Sequence, residues 1–503
     1  MTKKLKKEWG YLIPLILSII LGVRKGFSPD TYNKYVYLLF SGGAIGAFAC
    51  VSLSSRKVFS QKVEKVCKAV CLFMPFTVAT IDNDTYWIIA VGRNVILHGF
   101  DRIDRINFYH FHSIVQQWLV AVSFASVDRL FGLKGIVVIS GLIGLLLVLV
   151  TYKAVENSKI PWTITFCTMT AFMIFLTSRP FMISALLLAV EYLEYRKNKL
   201  WMIPLTGILF INVHMALWPM QILLLGTLLV ESLFERTLSL GKIICVALIV
   251  PLSVLNPYGM EGFMYPFHIM SKNISYIGEM ASPFSYLSTA SIVMMVELSF
   301  SVLVIIIALV RRKKLRIGPV IALAGTMAMA CTAGRHVILT GIPLPYVLSD
   351  FASGETVKRK ERAGQVISGA MIAMMCCCCF FMGVNNGRNI YEKAFNTLDN
   401  YQRGVLYTGM DAGGYAAYRG YHSYIDARTE PHYELYNGKF DYWDEYINSL
   451  RHGAEGIVEK YHFNYALCLR DIDDSMIKEM KKHKAKVIYS DKNCILYMAV
   501  EKN

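Results

Sequence analysis

"TIDNDTYWIIAVGRNVILHGFDRID" occupies residues 80–104. It places Asp82 and Asp84 directly after an apolar run at 66–81. Such a run approaches the ~20 residues that cross a bilayer as a helix. The two carboxylates therefore stand where the chain leaves a membrane. An apolar segment with Trp87, Ile88, Val91, Val95 and Ile96 at helical spacing follows at once, interleaved with Arg93, Asn94 and His98. A stretch of this kind suits the membrane–water interface better than a span. The segment at 113–132, SIVQQWLVAVSFASVDRLFG, reads the same way. Together they predict interfacial helices over about 84–131.

The rest of the chain agrees with a membrane protein. Of its 503 residues, 55% are hydrophobic, and the mean hydropathy is +0.42. Apolar runs recur at about 11–23, 35–53, 66–81, 135–152, 160–177, 180–195, 201–216, 217–235, 242–257, 289–310, 318–332, 336–349 and 364–384. The expected fold class is an α-helical polytopic membrane protein of about 13 spans with a soluble α/β domain at its C-terminal end. The basic and then apolar start is read as a retained first helix. The net charge of +16 points to basic cytoplasmic loops, not to nucleic acid. Most of the 12 cysteines fall in predicted spans, at no zinc-ligand spacing.

Basic loops at the start, at 54–65, 194–199, 311–316 and 358–362 fall on one side, which the positive-inside rule makes cytoplasmic. The loop at 24–34 is the exception. On the opposite face lie TIDNDTYW, SRP at 178–180, NVH at 212–214, NPYG at 256–259, EMASP at 279–283 and AGRH at 333–336. The tail from about 385 falls there too, giving a cytoplasmic N-terminus and an extracytoplasmic 385–503 domain after a membrane domain of 1–384. In the tail, VLYTG, SYIDA, YALCL, KVIYS and CILYMAV read as short strands, and DYWDEYINSLRHG and DSMIKEMKKH as helices. The run G-M-D-A-G-G at 409–414 lacks the spacing of a dinucleotide fingerprint.

Several polar groups on the outer face are candidates for chemistry. Asp84 and Asp82 offer a general base, a metal pair or, at Asp84, a helix cap. His214 sits near the end of a span, where ionisable groups are costly and suggest function; the alternative is a histidine bonded to a neighbouring helix. Arg179 and Arg335 suit a phosphate, because a guanidinium stays charged and matches its geometry. No Walker motif, serine elbow or H-E-x-x-H occurs.

Taken together, the segments resemble the GT-C glycosyltransferases that use polyprenyl-phosphate-linked sugars, in particular bacterial relatives of protein O-mannosyltransferase and the aminoarabinose transferase. The resemblance rests on Asp82, Asp84, Thr85, Tyr86 and Trp87, then Gly92-Arg93, Asp104 and Trp118-Leu119. It continues through Ser178-Arg179-Pro180, Asn212 with His214, Asn256-Pro257-Tyr258-Gly259, Glu279 with Ser282-Pro283, and Gly413-Gly414 with Arg419, Asp426 and Arg428. One departure is Gln117, where the family often has Glu.

The resemblance implies a transferase that moves a sugar to a hydroxyl acceptor on a glycan, lipid or protein, at the outer membrane surface and with inversion. It implies Asp84 as base with Asp82 beside it. Arg335, Arg179 and His214 would hold the donor phosphate, and Trp87, Asn212 and Glu279 would contact substrate. A divalent metal at Asp82 and Asp84 is an open option; membrane lipids are partners and nucleic acid is not. A polysaccharide polymerase or ligase using a diphosphate-linked oligosaccharide, and a transporter or scaffold, are the alternatives. Asp426 and Arg428 read best as a structural ion pair.

Overall fold

The computed structural model of the protein describes residues 34–53, 57–173, 178–269, 280–285, 289–353 and 390–499. Among the described residues, helices dominate from Lys34 to Ala352, apart from a non-helical stretch between His98 and Trp118, and a small mixed sheet with further helices follows from residue 392 onward. Among the described residues, three helices are long and apolar enough to cross a membrane: Trp118–Val155, Met215–Phe234 and Ser291–Val310. Shorter apolar helices are Met202–Val213, Leu240–Leu252 and Ile317–Thr332. The runs at 11–23 and 364–384 lie outside the described residues.

The count of about 13 spans is thus not confirmed among the described residues, in part for a local reason. Several apolar runs are broken by turns. The run at 242–257 is divided between Leu240–Ala247 and Ile249–Leu252. That at 336–349 is interrupted before Leu344, where Pro343 stands. Proline lacks the N–H that a continuing helix needs. Outward-facing apolar side chains are nonetheless numerous. Leu97, Leu130, Phe131 and Val310 are each 70% or more exposed. Surfaces of this character suit lipid rather than water.

The segment after Asp82 forms the helix Asn83–His98, buried along one run from Thr85 to Gly92. The 113–132 segment and the 135–152 run form one continuous element, Trp118–Val155, broken at Gly132 with φ 64° and ψ −172°. A left-handed φ of this kind costs a glycine little. The break separates the first part, packed on Asn83–His98, from the apolar second part.

The sheet has the order β1-β2-β4-β3, with β1 Leu406–Thr408, β2 Tyr465–Leu469, β3 Lys486–Ser490 and β4 Cys494–Met498. β1 and β2 are parallel; the other pairs are antiparallel. The two expected helices are Tyr442–His452 and Asp474–Lys482. SYIDA is not a strand. Ser423 makes only isolated bridges, to Asn107 and Leu406, because Asp426 is drawn instead into a buried ion cluster described below. The glycines at 413–414 have a packing role. They lie in the helix Met410–Tyr418, where a Cβ on Gly413 would come 2.0 Å from the Ile425 carbonyl oxygen, and one on Gly414 2.8 Å from the Asn83 carbonyl oxygen. The tail thus rests directly on the helix that Asp82 begins.

Candidate active site

The site is built from segment ends. Thr80 and Ser178 tie two of them together: the Ser178 backbone N–H and hydroxyl both donate to the Thr80 carbonyl, at 3.0 and 2.9 Å. This sets Arg179 beside the start of the helix Asn83–His98. Arg179 is extended (φ −125°, ψ 153°) and precedes Pro180, the first residue of the helix Pro180–Arg196. A residue before proline is biased to that conformation.

The capping role expected of Asp84 belongs to Asp82. Its Oδ1 accepts from the Thr85 N–H at 3.0 Å and from the Thr85 hydroxyl at 2.8 Å. The Asp82 N–H in turn donates to Thr85 Oγ1 at 3.3 Å, completing a capping box. Its Oδ2 accepts from Arg179 Nε. Asp82 is buried and committed to structure. Two residues further on, Asp84 lies in the first helical turn, where the helix dipole favours a carboxylate. Its Oδ1 accepts from Trp87 Nε1 at 3.1 Å, and its Oδ2 lies 3.2 Å from Arg179 Nε.

Asp84 faces a cavity of about 760 Å³, part of it open to solvent. Trp87, Arg179, His214 and Arg335 line the same cavity. Four separate loops, read in sequence as lying on one face, thus meet at one place. His214 interrupts the chain between Met202–Val213 and the 3-10 turn Met215–Leu217 (φ −159°, ψ 84°). Its Nδ1 is 3.0 Å from Ser184 Oγ, one turn into the Arg179 helix. Arg335 stands in the 3-10 turn Gly334–His336, held by the Gly334 N–H donating to the Ala281 carbonyl at 3.0 Å.

Two expected residues are placed otherwise. Asn212 is not in the cavity wall. Its Oδ1 accepts from Trp118 Nε1 at 2.8 Å, and its amide donates to the carbonyls of Ile208 and Leu255. It braces three segments. Glu279 lies outside the described residues, although its neighbour Met280 lines the cavity. A divalent ion between Asp82 and Asp84 does not fit this arrangement. The Arg179 guanidinium occupies the space between the two carboxylates, and among the described residues no group of three suitable ligands exists.

The tail supplies a wall that spacing did not reveal. Arg428, Thr429 and Glu430 line the cavity, as do Gln116 and Gln117. Arg428 is the centre of a buried cluster. It donates to Asp104 Oδ1 at 2.7 Å, to Asn107 Oδ1 at 3.0 Å, and to both Asp426 oxygens at 2.9 and 2.7 Å. Burial alone would raise the Asp426 carboxyl; the Arg428 guanidinium outweighs it and holds the group well below the usual carboxylate range. Asp426 and Arg428 are thus the ion pair read from sequence, but one partner reaches across 324 residues to Asp104 and forms part of the site. The signals in the sequence are the charge alternation Asp426-x-Arg428-x-Glu430 and the place of Asp104, Asp426 and Arg428 in the resemblance; neither pairs Arg428 with Asp104.

The cavity wall therefore carries three arginines and two carboxylates, Asp84 and Glu430, beside a tryptophan. Such a set can bind an anion and accept a proton at one place.

No protein-family model matches the chain, and no curated protein matches it. Solved structures do. The apo crystal structure of the Archaeoglobus fulgidus oligosaccharyltransferase aligns with a TM-score of 0.57 at 10% identity, over 99% of this chain and 75% of that one. The same archaeal enzyme, AglB, in complex with an inhibitory peptide and a dolichol-phosphate gives 0.54 at 10%, over 92% and 70%. Tethered by a disulfide to an acceptor peptide containing the NVT sequon, it gives 0.53 at 12%, over 99% and 74%. Along nearly its whole length, this chain has the fold of an archaeal oligosaccharyltransferase.

Proposed function

We propose that the protein transfers a sugar from a polyprenyl-phosphate-linked donor to a hydroxyl acceptor at the outer membrane surface. One observation carries the reading: Asp84, Arg179, His214 and Arg335 converge on a single cavity within a fold shared with an enzyme that has been seen with dolichol-phosphate. A polyprenyl tail stays in the bilayer, so the phosphate of such a donor lies at the interface. Exposed apolar side chains such as Leu97, Leu130 and Phe131 suit a position there for the segments flanking the site.

In this mechanism Asp84 takes the proton of the acceptor hydroxyl as its oxygen attacks the anomeric carbon. The new carbon–oxygen bond forms opposite the bond to phosphate, which breaks, so the configuration inverts. A positioned carboxylate contributes about 10²–10⁴-fold to such a step. Trp87 Nε1 orients one Asp84 oxygen. Arg335 and Arg179 hold the departing phosphate, whose growing charge needs fixed cations in a partly dehydrated site. Asp82 positions Arg179 and the helix start. No step runs through a metal. A diphosphate-linked oligosaccharide is the second reading, favoured by the structural neighbours being oligosaccharyltransferases.

Asp84→Asn preserves shape and removes the proton acceptor. We expect it to reach the membrane in normal amount, to bind donor, and to lose about two orders of magnitude or more in turnover. Near-normal turnover would end the base assignment.

A further inference from the structure

A second cavity, of about 540 Å³, lies against the first. Glu430 forms part of both walls. The two differ in chemistry. The first holds Arg179, Arg335 and Arg428. The second has neither lysine nor arginine among its described lining residues; it has Glu261 and Glu430, His112 and His268, Tyr265 and Tyr436. Three parts of the chain build it: the loop after Asp104, the helix Met260–Ile269, and the segment that follows Arg428.

The walls are held from outside. Glu261 is fixed at the rim by Arg102, at 3.0 Å, and by His112. The rings of Tyr265 and Tyr436 lie with centroids 5.7 Å apart and planes inclined at 59°, and His268 stands 6.2 Å from Tyr436. The Tyr436 hydroxyl is buried and has no hydrogen-bond partner among the described residues.

We propose that this second cavity binds the acceptor and that the acceptor is a carbohydrate chain, presented to Asp84 past Glu430. The inference rests on the transferase reading given above. Carboxylates accept hydrogen bonds and donate none when ionised, so they suit the hydroxyl groups of a sugar and repel a phosphate or an acidic chain. Aromatic rings offer flat apolar faces with a weakly negative surface, which match the C–H faces of a pyranose. A pocket of mostly apolar and aromatic walls with a few placed polar groups is the usual form of a small-ligand site. The separation of charge also sorts the substrates: the anionic donor group is drawn to the arginines, and the neutral acceptor to the cavity without them.

The test uses the full chain in lipid nanodiscs and reads binding apart from turnover. The probes are di- to tetrasaccharides of glucose, galactose and N-acetylglucosamine, and hexapeptides containing Ser, Thr or Asn. Saturation-transfer NMR reports binding to the wild type, to Tyr436→Ala and to Tyr436→Phe. A saccharide should bind the wild type, bind Tyr436→Phe within about threefold, and bind Tyr436→Ala at least tenfold more weakly. The phenylalanine variant keeps the ring and removes only a hydroxyl that has no described protein partner, so it controls for folding. Peptide binding without saccharide binding would overturn the inference, as would saccharide binding unchanged in Tyr436→Ala or no binding of any probe. Hydrolysis of a polyprenyl-phosphate-linked sugar, with water as acceptor, is measured in parallel. Its absence beside saccharide binding that depends on the Tyr436 ring would sink the transferase reading and leave the carbohydrate site standing.

Discussion

At the scale of the residue, two carboxylates two positions apart have different tasks. Asp82 ends the preceding segment and caps the next helix; Asp84 is one step inside and faces the cavity. Spacing alone shows that a pair is present but not where the helix begins, so it does not tell that Asp82, two residues before Asp84, is the cap. Arg179 was legible as a charge at the start of a helix, but its place between the two aspartates was not, because Ser178 and Thr80 fix it across 98 positions. Asn212 shows the reverse error. Its neighbour His214 reaches the cavity while Asn212 faces Trp118, a difference set by the break in the helix after Val213. The assignment of Arg335 to the donor phosphate makes a graded expectation. Arg335→Ala should raise the KM for donor about tenfold or more, and Arg335→Lys less, since lysine keeps the charge but loses the planar fork. Steady-state kinetics with varied donor would check this, and equal, unchanged constants in both variants would remove Arg335 from the site.

At the scale of the element, two helices of the tail, Tyr442–His452 and Asp474–Lys482, and its four strands are legible from alternation and amphipathic spacing. SYIDA is not, since Tyr424 and Ile425 are buried like strand residues while Asp426 pairs with Arg428 two residues on, which in turn reaches the distant Asp104. Its neighbourhood holds another buried acid. Asp473 accepts from the Leu469 N–H at 2.8 Å and from the Tyr407 hydroxyl at 2.9 Å. Burial nevertheless pushes its carboxyl up from 3.8 to about 6. A raised carboxyl favours the protonated folded state. Its contribution is fully present below the unfolded value of 3.8 and is lost as pH rises through about 6. Between pH 4 and 7 the tail of the wild type should therefore lose about 2–3 kcal/mol relative to Asp473→Asn. Amide exchange of β2 in the two proteins across this range would measure it. A difference independent of pH would show that Asp473 does not titrate there.

At the scale of the whole molecule, the sequence shows apolar runs and an ordered set of motifs but not how the runs break or how the tail meets the segment from Asp82 to Asn107. That meeting is made by pairs far apart in the chain, such as Asp104 with Arg428 and Arg93 with the Tyr418 carbonyl, which no local pattern encodes. The loops that converge on the cavity are all ones that the positive-inside rule assigns to the face opposite the basic loops, and this makes the sidedness testable. Lys478, whose side chain is 75% exposed, should be outside, and Lys314 inside. An impermeant thiol reagent applied to intact cells should label Lys478→Cys and spare Lys314→Cys; the opposite pattern would invert the map. The central claim is that this cavity turns over a polyprenyl-phosphate-linked sugar. It is tested most directly with the purified protein in proteoliposomes carrying polyprenyl monophosphate radiolabelled in its sugar, supplied with saccharide acceptors. Label should leave the lipid for the acceptor, or more slowly for water, with wild type, and at least a hundredfold more slowly with Asp84→Asn. Label that stays on the monophosphate with wild type, while a diphosphate-linked oligosaccharide is consumed or no donor reacts at all, would contradict the account.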